Sequence, residues 1–295
     1  MGTIDDVTSK TAQPATALIT GADAGVGRSA AAALAEAGLA VTLAGRSKTR
    51  LDRVADEIRE QKPNAQVDVL EFDLASISEI KEAAAEYLVS HDPWSALLNL
   101  AEVSGIGRRV LTEDGFEWNF GVNFLGHFAL TGLLLPGAAQ QAKVVSLTSA
   151  RYRSTSIRFH DLRFDNGYKG SRAFAQSKRA QLLFARELDR RCRSTRARQY
   201  PHGVRSVALQ REPLLANRLT HPLRRFGPSL DQIAGEAAAQ LVIDDHGNGG
   251  ELFAPAVAAD HSGYPVRVTG LQLPEEQTEA KRLWRISDQL TRVTW

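Results

Sequence analysis

Short apolar runs alternate with amphipathic stretches along most of the chain. Seven of these runs have the length and composition of buried strands: TALIT (16–20), AVTLAG (40–45), QVDVLEF (66–72), SALLNLA (95–101), KVVSLTS (143–149), VRSVAL (204–209) and GELFAP (250–255). Strands that are apolar on both faces and alternate with helices form a parallel sheet covered on both sides. The pattern therefore predicts an α/β protein with a doubly wound Rossmann fold and a seven-stranded parallel sheet.

The stretches between these strands carry helix signals. An Ala-rich stretch ends at Gly38, a charged stretch covers about 49–62, and a long amphipathic stretch covers about 171–193. A further helix is predicted to start near Ser76, where either Ser76 or Ser78 can cap it. The alternation of strand and helix signals thus continues through the chain.

The domain organisation follows from the absence of repeats and linkers in the sequence. Residues 15–295 are predicted to form one domain, because no composition shift divides them. The polar residues 1–14 are expected to be a flexible N-terminus. The segment 213–229 is the longest irregular stretch in the second half of the chain.

Composition and charge narrow the possible function classes. The 295-residue chain has a net charge of +2, which is too small by itself to indicate nucleic acid or a membrane as a partner. The N-terminal residues lack the apolar core of a signal peptide, and no apolar run is expected to approach membrane-spanning length, so we expect a cytoplasmic protein. Cys192 is the single cysteine, and no His/Cys cluster has metal-site spacing.

A glycine-rich turn, TGADAGVG (20–27), connects the first strand to the first helix. Gly21 allows the tight turn, Gly25 lets the backbone approach a pyrophosphate, and Gly27 lets helix pack on strand. The start of the helix offers backbone N–H groups and a positive dipole end to phosphate. The predicted cofactor residues of this turn are Gly21, Asp23, Ala24, Gly25, Val26 and Gly27. The alternative interpretation is a purely structural turn.

The ends of the second and third strands predict the adenine side of the same site. Arg46 and Ser47 follow the second strand, where NAD-binding domains tend to have an acidic residue for the ribose 2′-hydroxyl. An arginine there favours a 2′-phosphate, so we predict NADPH as the cofactor. A solvated surface arginine is the alternative. Asp73 and Leu74 follow the third strand and are predicted to border the adenine.

These motifs, together with Asn99 after the fourth strand, resemble the short-chain dehydrogenase/reductase family. Later segments are similar to its retinol-dehydrogenase-like branch: NFGVNFLGHFALT (119–131), IRFHDLRFDNGY (157–168), SKRAQLLFARELDRR (177–191) and AKRLWRISDQLT (280–291). The resemblance covers about 16–291 and implies catalysis at the carboxyl ends of strands four and five. It also implies that Asn99, Leu100 and Ala101 bind the cofactor.

The resemblance implies an Asn, a Ser, a Tyr and a Lys as the catalytic set. Asn123, Ser149 and Lys178 match three of them, and Lys178 is also expected to hold the nicotinamide ribose. The tyrosine position, four residues before the lysine, is Phe174. Tyr152 and Tyr168 are nearby but lack that spacing.

The substrate end departs further from the family pattern. The family's NNAG after strand four ends in Glu102 here, and its HPG after strand six aligns with 210–212 (QRE). Ketoreductases that tailor angucyclinone-type aromatic polyketides include similar members without the tyrosine. The family covers its substrate with a loop after strand six, which corresponds to 213–229. The predicted substrate residues are Glu102, Phe174, Leu214, Leu215 and Leu219.

Two functions remain open at this point. The first is an NADPH-dependent ketoreductase of antibiotic biosynthesis, which reduces a conjugated aromatic ketone or quinone and lets the substrate stabilise its own charge. The second is a non-catalytic NADP-binding redox sensor or regulatory protein. Retention of Asn123, Ser149 and Lys178 favours the enzyme, and loss of the tyrosine favours the sensor. Since the family often forms oligomers, a homodimer is possible.

Overall fold

The computed structural model describes residues 15–194, 204–212, 228–244, 248–256, 263–269, 276–293 and 295. Its centre is an eight-stranded sheet with the order β3-β2-β1-β4-β5-β6-β7-β8. The strands are β1 (Thr16–Thr20), β2 (Ala40–Gly45), β3 (Val67–Glu71), β4 (Trp94–Asn99), β5 (Ala138–Thr148), β6 (Arg205–Gln210), β7 (Leu252–Pro255) and β8 (Pro265–Arg267). Strands β1 to β7 are mutually parallel, which confirms the predicted doubly wound fold.

The eighth strand corrects the predicted number of seven. Strand β8 pairs antiparallel with β7, with Pro265 opposite Pro255. Without it β7 would be an open edge, and a short strand that begins with proline is a common way to cover one. Two of the three residues of β8 are exposed, so an alternating or continuous apolar pattern, which predicted the other strands, is absent here.

The helices pack on both faces of the sheet. They are α1 (Gly25–Glu36), α2 (Lys48–Gln61), α3 (Ile77–Ser90), α4 (Trp118–Phe120), α5 (His127–Leu134), α6 (Gly170–Arg193), α7 (Leu230–Ile243) and α8 (Glu276–Thr291). A π-helical segment, Gly121–Gly126, joins α4 to α5, and a short 3₁₀ helix, Ala150–Ser154, follows β5. Ser76 caps α3 by accepting a hydrogen bond from the Glu79 N–H, as one of the two predicted caps.

Successive side chains of the central strands enter two separate cores. Leu18 belongs to the core under α3, α5 and α6, whereas its neighbour Ile19 belongs to the core under α1, α2 and α7. Val144 and Val145 divide in the same way on β5. This alternation is what a strand buried on both faces requires, and it explains the continuous apolar runs of the sequence.

One apolar stretch is longer than we expected from the sequence. Trp118–Gly137 has 20 residues and is apolar enough to cross a membrane, but 83% of its apolar window is buried inside the fold. Phe124 and Phe128 of this stretch contact Phe184 of α6. The stretch is therefore accounted for as a helical layer of the core, and the expectation that no run approaches this length is corrected.

Two predicted segments fall outside the described residues. They are the N-terminus, 1–14, and nearly all of the loop 213–229, of which only 228 and 229 are described. The predicted substrate residues Leu214, Leu215 and Leu219 lie in the part that is not described.

Candidate active site

A cleft of about 370 Å³ lies at the carboxyl ends of the strands, where the strand order reverses between β1 and β4. Open α/β sheets bind their ligands at such a switch point. The glycine turn after β1 forms one wall, and the residues that follow β2, β3 and β4 form the others. Arg211, after β6, and Asp231, at the start of α7, complete the lining.

The glycine turn has the geometry of a phosphate site. Gly21 has a φ of +67°, and a Cβ there would lie 2.7 Å from the Cα of Ala101. A Cβ on Gly27 would lie 2.3 Å from the carbonyl oxygen of Gly21, so helix α1 can approach β1 only with glycine at this position. No side chain caps the start of α1, and its first turn carries no acidic residue. The first N–H groups of α1 are therefore available to an anion.

The adenine end of the cleft carries two arginines. Arg46 is exposed and lines the cleft, and it forms no ion pair with any residue that the structure describes. Arg50 also lines the cleft, but its guanidinium is 2.7 Å from the carboxylate of Asp23. Asp73 accepts a hydrogen bond from the Ala75 N–H at 2.9 Å, which fixes the turn after β3. The unpaired guanidinium of Arg46 suits a further phosphate.

These features fit an extended dinucleotide. The uncapped helix start, the glycine turn and the free arginine are arranged along one cleft, as a pyrophosphate and a 2′-phosphate would need. Of the predicted cofactor residues, Ser47, Asn99 and Lys178 do not line the cleft, whereas the others do. Asn99 is fully buried and donates to Thr131 Oγ1 at 3.0 Å instead.

A buried histidine ties the cleft to the helical layer. His127 Nδ1 lies 2.8 Å from the Asn123 carbonyl oxygen, so it must donate there, and Nε2 is left to accept from Thr20 Oγ1 at 2.9 Å. Thr20 Oγ1 in turn accepts from the N–H groups of Leu100 and Ala101. Burial lowers the pKa of His127 to about 4, which keeps the ring neutral. His127 is thus a buried packing residue and not an exposed base.

Asn123 has a structural set of partners. Its amide donates to the Val103 carbonyl oxygen and to Ser177 Oγ, both at 3.0 Å, and its Oδ1 accepts from the Val103 N–H at 2.8 Å. The side chain therefore joins the loop after β4 to helix α6. Asn123 lies at the predicted site and holds the loop after β4 and helix α6 in place.

Lys178 is completely buried and surrounded by oxygen atoms. Its ammonium donates to the Leu147 carbonyl oxygen at 3.1 Å and to Gln181 Oε1 at 2.8 Å. A third oxygen, Glu102 Oε2, lies 2.8 Å away and forms an ion pair with it. Burial lowers the pKa of Lys178, and the Glu102 carboxylate opposes that shift. The ammonium therefore has two hydrogen-bond acceptors and one ion-pair partner, and all three oxygens belong to the protein.

Among the described residues, no tyrosine hydroxyl reaches this lysine. The ring of Phe174 occupies the tyrosine position, with its centroid 5.5 Å from Lys178 Nζ. Tyr168 donates to the Ile106 carbonyl oxygen at 3.0 Å, and Tyr152 is buried in a separate apolar cluster with Leu182. Neither hydroxyl is therefore directed at Lys178.

Ser149 forms a hydrogen bond with a glutamate that was not among the predicted site residues. Ser149 Oγ donates to Glu212 Oε1 at 2.6 Å, and the Ala150 N–H donates to Glu212 Oε2 at 2.8 Å. Ser149 Oγ also accepts from the Arg151 N–H at 3.3 Å. Because a serine hydroxyl has one proton, Ser149 in this arrangement has none left to donate.

Arg211 links the two sides of the cleft. Its guanidinium lies 2.6 Å from Asp231 Oδ1 and 3.2 Å from Glu102 Oε1. The Asp231 carboxylate lies 3.2 Å from the position that a Cβ on Gly25 would take, which is directly beside the phosphate turn. The two departures from the family pattern, at 102 and at 210–212, therefore meet in one charged network with Lys178.

The structure thus brings most of the predicted site together and adds residues to it. Missed members are Thr20, Arg50, Arg211, Glu212 and Asp231. The sequence does show that Arg211 and Glu212 replace part of the HPG motif, but it does not show which residues they bind. Within the described residues, no group of three or more His, Cys, Asp or Glu side chains could hold a metal ion.

Comparisons with known proteins agree with this geometry. A model of the short chain dehydrogenase family matches residues 15–160. The chain is 33% identical to mouse retinol dehydrogenase 12 over 94% of its length and 86% of that protein. A crystal structure of an uncharacterized protein from Mycobacterium paratuberculosis is similar over 96% of both chains, with a TM-score of 0.74 and 29% identity. A short chain dehydrogenase of Shigella flexneri 2a, solved with NADP, shares the fold with a TM-score of 0.59, 20% identity, and coverage of 82% of this chain and 97% of that one.

Fold, cleft and sequence similarity together define the class. The chain belongs to the short-chain dehydrogenase family. It is accordingly an oxidoreductase, and members of the family take a nicotinamide cofactor. The predicted family, fold class and enzyme class are confirmed.

Proposed function

We propose that the protein is an NADPH-dependent ketoreductase of a conjugated aromatic ketone or quinone, of the polyketide type, in secondary metabolism. It works in the cytoplasm, takes neither nucleic acid nor a membrane as partner, and forms a homodimer. The observation that carries the proposal is the state of the three groups that would otherwise donate to a substrate oxygen. Phe174 has no hydroxyl, Ser149 donates to Glu212, and Lys178 is enclosed by protein oxygens.

The absence of a proton donor among these three groups limits which kinds of ketone the site can reduce. A bound nicotinamide supplies the hydride. Addition of hydride to an ordinary ketone leaves an alkoxide, which needs a proton at once, and loss of a positioned acid costs about 10²–10⁴ in rate. A ketone conjugated to a phenol or quinone avoids this cost, because the charge moves to a phenolate oxygen. A phenol has a pKa of about 10, so water can protonate the product later.

The protein's own residues then act by holding the reactants. The glycine turn and the start of α1 bind the pyrophosphate, and the ion-paired side chains of Glu102 and Arg211 border the opposite end. Orientation of two reactants can account for about 7–11 kcal/mol of a barrier in favourable cases. No acid is needed for that contribution.

NADPH is proposed as the cofactor because of Arg46. Its guanidinium lines the adenine end of the cleft and has no carboxylate partner among the described residues, whereas Arg50 is paired with Asp23. The bond from an arginine to a 2′-phosphate is charge-assisted and discriminates against NADH.

A second candidate, a non-catalytic NADP-binding redox sensor or regulatory protein, is favoured by one observation. The Lys178–Glu102 ion pair and the Ser149–Glu212 hydrogen bond close the family's catalytic groups off from any ligand in this arrangement. A sensor needs only the cofactor end, which is intact.

Steady consumption of NADPH distinguishes the candidates. The purified protein is supplied with NADPH and, separately, with hydroxylated anthraquinones and naphthoquinones, with all-trans-retinal, and with a simple aliphatic ketone. The ketoreductase proposal expects turnover of the aromatic quinones and little with the aliphatic ketone. Preferred turnover of retinal would indicate the substrate class named for the mouse relative. Tight NADPH binding without turnover of any compound would favour the sensor.

A further inference from the structure

Glu212, two residues after β6, accepts a hydrogen bond from the Ser149 hydroxyl. We propose that its carboxylate accepts a hydrogen bond from a hydroxyl group of the substrate, and so selects hydroxylated aromatic ketones or quinones over their unsubstituted or methylated counterparts. This inference rests on the proposed ketoreductase function and narrows its substrate class. Ser149 and Ala150 are then positioning residues, because they fix both oxygens of the carboxylate.

The carboxylate has unused capacity to accept hydrogen bonds. An ionised carboxyl group offers about four lone-pair positions on its two oxygens. Among the described residues, Ser149 uses one position on Oε1 and the Ala150 N–H uses one on Oε2. Each oxygen therefore retains a position for another donor. Glu212 is half-buried, whereas Ser149 is 1% exposed.

The cations nearest Glu212 form their ion pairs with other carboxylates. Arg211, its neighbour in the chain, is directed to Glu102 and Asp231. Lys178 forms its ion pair with Glu102. Within the described part of the chain no lysine or arginine forms an ion pair with Glu212, so its side-chain hydrogen bonds there come from neutral donors, and Lys178 and Arg211 act on its charge at longer range. A phenol O–H is the strongest neutral donor that an aromatic substrate commonly carries, since it is more acidic than an alcohol.

The site is therefore an acceptor site where the family has a donor site. A bare carbonyl oxygen placed against Glu212 would meet a negative charge, which is unfavourable. A hydroxyl placed there would form a charge-assisted hydrogen bond. The polarity of the site thus selects a substrate that brings its own proton, which agrees with the absence of a proton donor in the protein.

The test measures binding of three probes to the complex of the protein with NADP⁺, in which no reduction can occur. The probes are 2-hydroxyanthraquinone, 2-methoxyanthraquinone and anthraquinone, at a pH at which the phenol is protonated. In the unmodified protein the hydroxylated probe is expected to bind about tenfold or more tightly than the other two, as for one hydrogen bond to a charged acceptor. In Glu212→Ala the three affinities are expected to be equal within about twofold.

Two further variants separate recognition from folding. Glu212→Gln should show an intermediate ratio, because one carboxamide oxygen must serve Ser149, Ala150 and the probe. Glu82→Ala, an exposed glutamate on α3, is the matched control and should keep the full ratio. Each ratio compares probes on the same protein sample, so partial unfolding of a variant lowers all affinities alike and leaves its ratio unchanged.

The outcomes distinguish this inference from the proposed function. Equal affinities in the unmodified protein, or an unchanged ratio in Glu212→Ala, would overturn the role of Glu212 and leave the aromatic substrate class intact. If none of the three probes binds to the complex with NADP⁺, both the proposed function and the role of Glu212 are overturned.

Discussion

Replacement of Arg46 by alanine is the sharpest test of the cofactor proposal. Arg46 is exposed at the end of β2, lines the cleft, and has no ion-pair partner among the described residues. Its guanidinium is therefore free to bind a 2′-phosphate without first breaking another contact. One charge-assisted hydrogen bond contributes about 1.5–3 kcal/mol, which corresponds to about 10-fold to 150-fold in affinity.

The assay compares dissociation constants for NADPH and NADH by fluorescence titration. In Arg46→Ala, the affinity for NADPH should fall by that factor, while the affinity for NADH should change less than about twofold. The preference should also decrease as salt is added, because the contact is exposed. Arg50→Ala is the matched control. Arg50 is held by Asp23, so its loss should affect both cofactors alike. Equal affinity for the two cofactors in the unmodified protein would refute the reasoning.

Three further changes probe other parts of the site. The folded-state pKa of His127 is about 4 against 6.5 for the free side chain, so the stability linked to the neutral ring is complete above about pH 6.5 and is lost as the pH falls. Urea denaturation should show that the free energy of unfolding falls by about 2 kcal/mol by pH 5 because of this residue. In His127→Gln the free energy of unfolding should fall less steeply with pH, and equal slopes in the two proteins would contradict the neutral, buried state of His127. Asp231→Asn removes a carboxylate beside Gly25 and should tighten NADP⁺ binding several-fold in the same fluorescence titration, whereas weaker binding would show that the charge does not face the pyrophosphate. Phe174→Tyr should change the rate of NADPH oxidation by less than about threefold, and a gain of about 10²-fold or more would mean that a protein acid is what the site lacks.

The sequence predicts the fold because burial dominates its pattern. The central strands are apolar on both faces, and their side chains alternate between two cores, as for Leu18 and Ile19. Strand β8 was not predicted, because only Pro265 of its three residues is buried. Its pairing with β7 therefore produces no hydrophobic pattern in the sequence. Edge pairing depends on the neighbouring strand and not on local composition.

The cofactor end of the site was also predictable, since a short continuous motif forms it. The turn from 20 to 27 acts through its own backbone, and a single arginine at 46 suggests the phosphate. The catalytic end is different, because its properties depend on pairs that are distant in sequence. Glu102 meets Lys178 and Glu212 meets Ser149 only in the folded chain. The sequence shows that Glu102 and Glu212 replace family residues, but it does not show which side chains they contact.

The central claim is that the protein supplies no proton to the reacting oxygen. The most direct measurement is the single-turnover rate of NADPH oxidation by a hydroxylated anthraquinone, compared between the unmodified protein and Ser149→Ala at saturating substrate. Ser149 already donates to Glu212, so we predict a rate change of less than about threefold, with any larger effect confined to substrate affinity. A fall of about 10²-fold or more in that rate, the range for loss of a general acid, would contradict it.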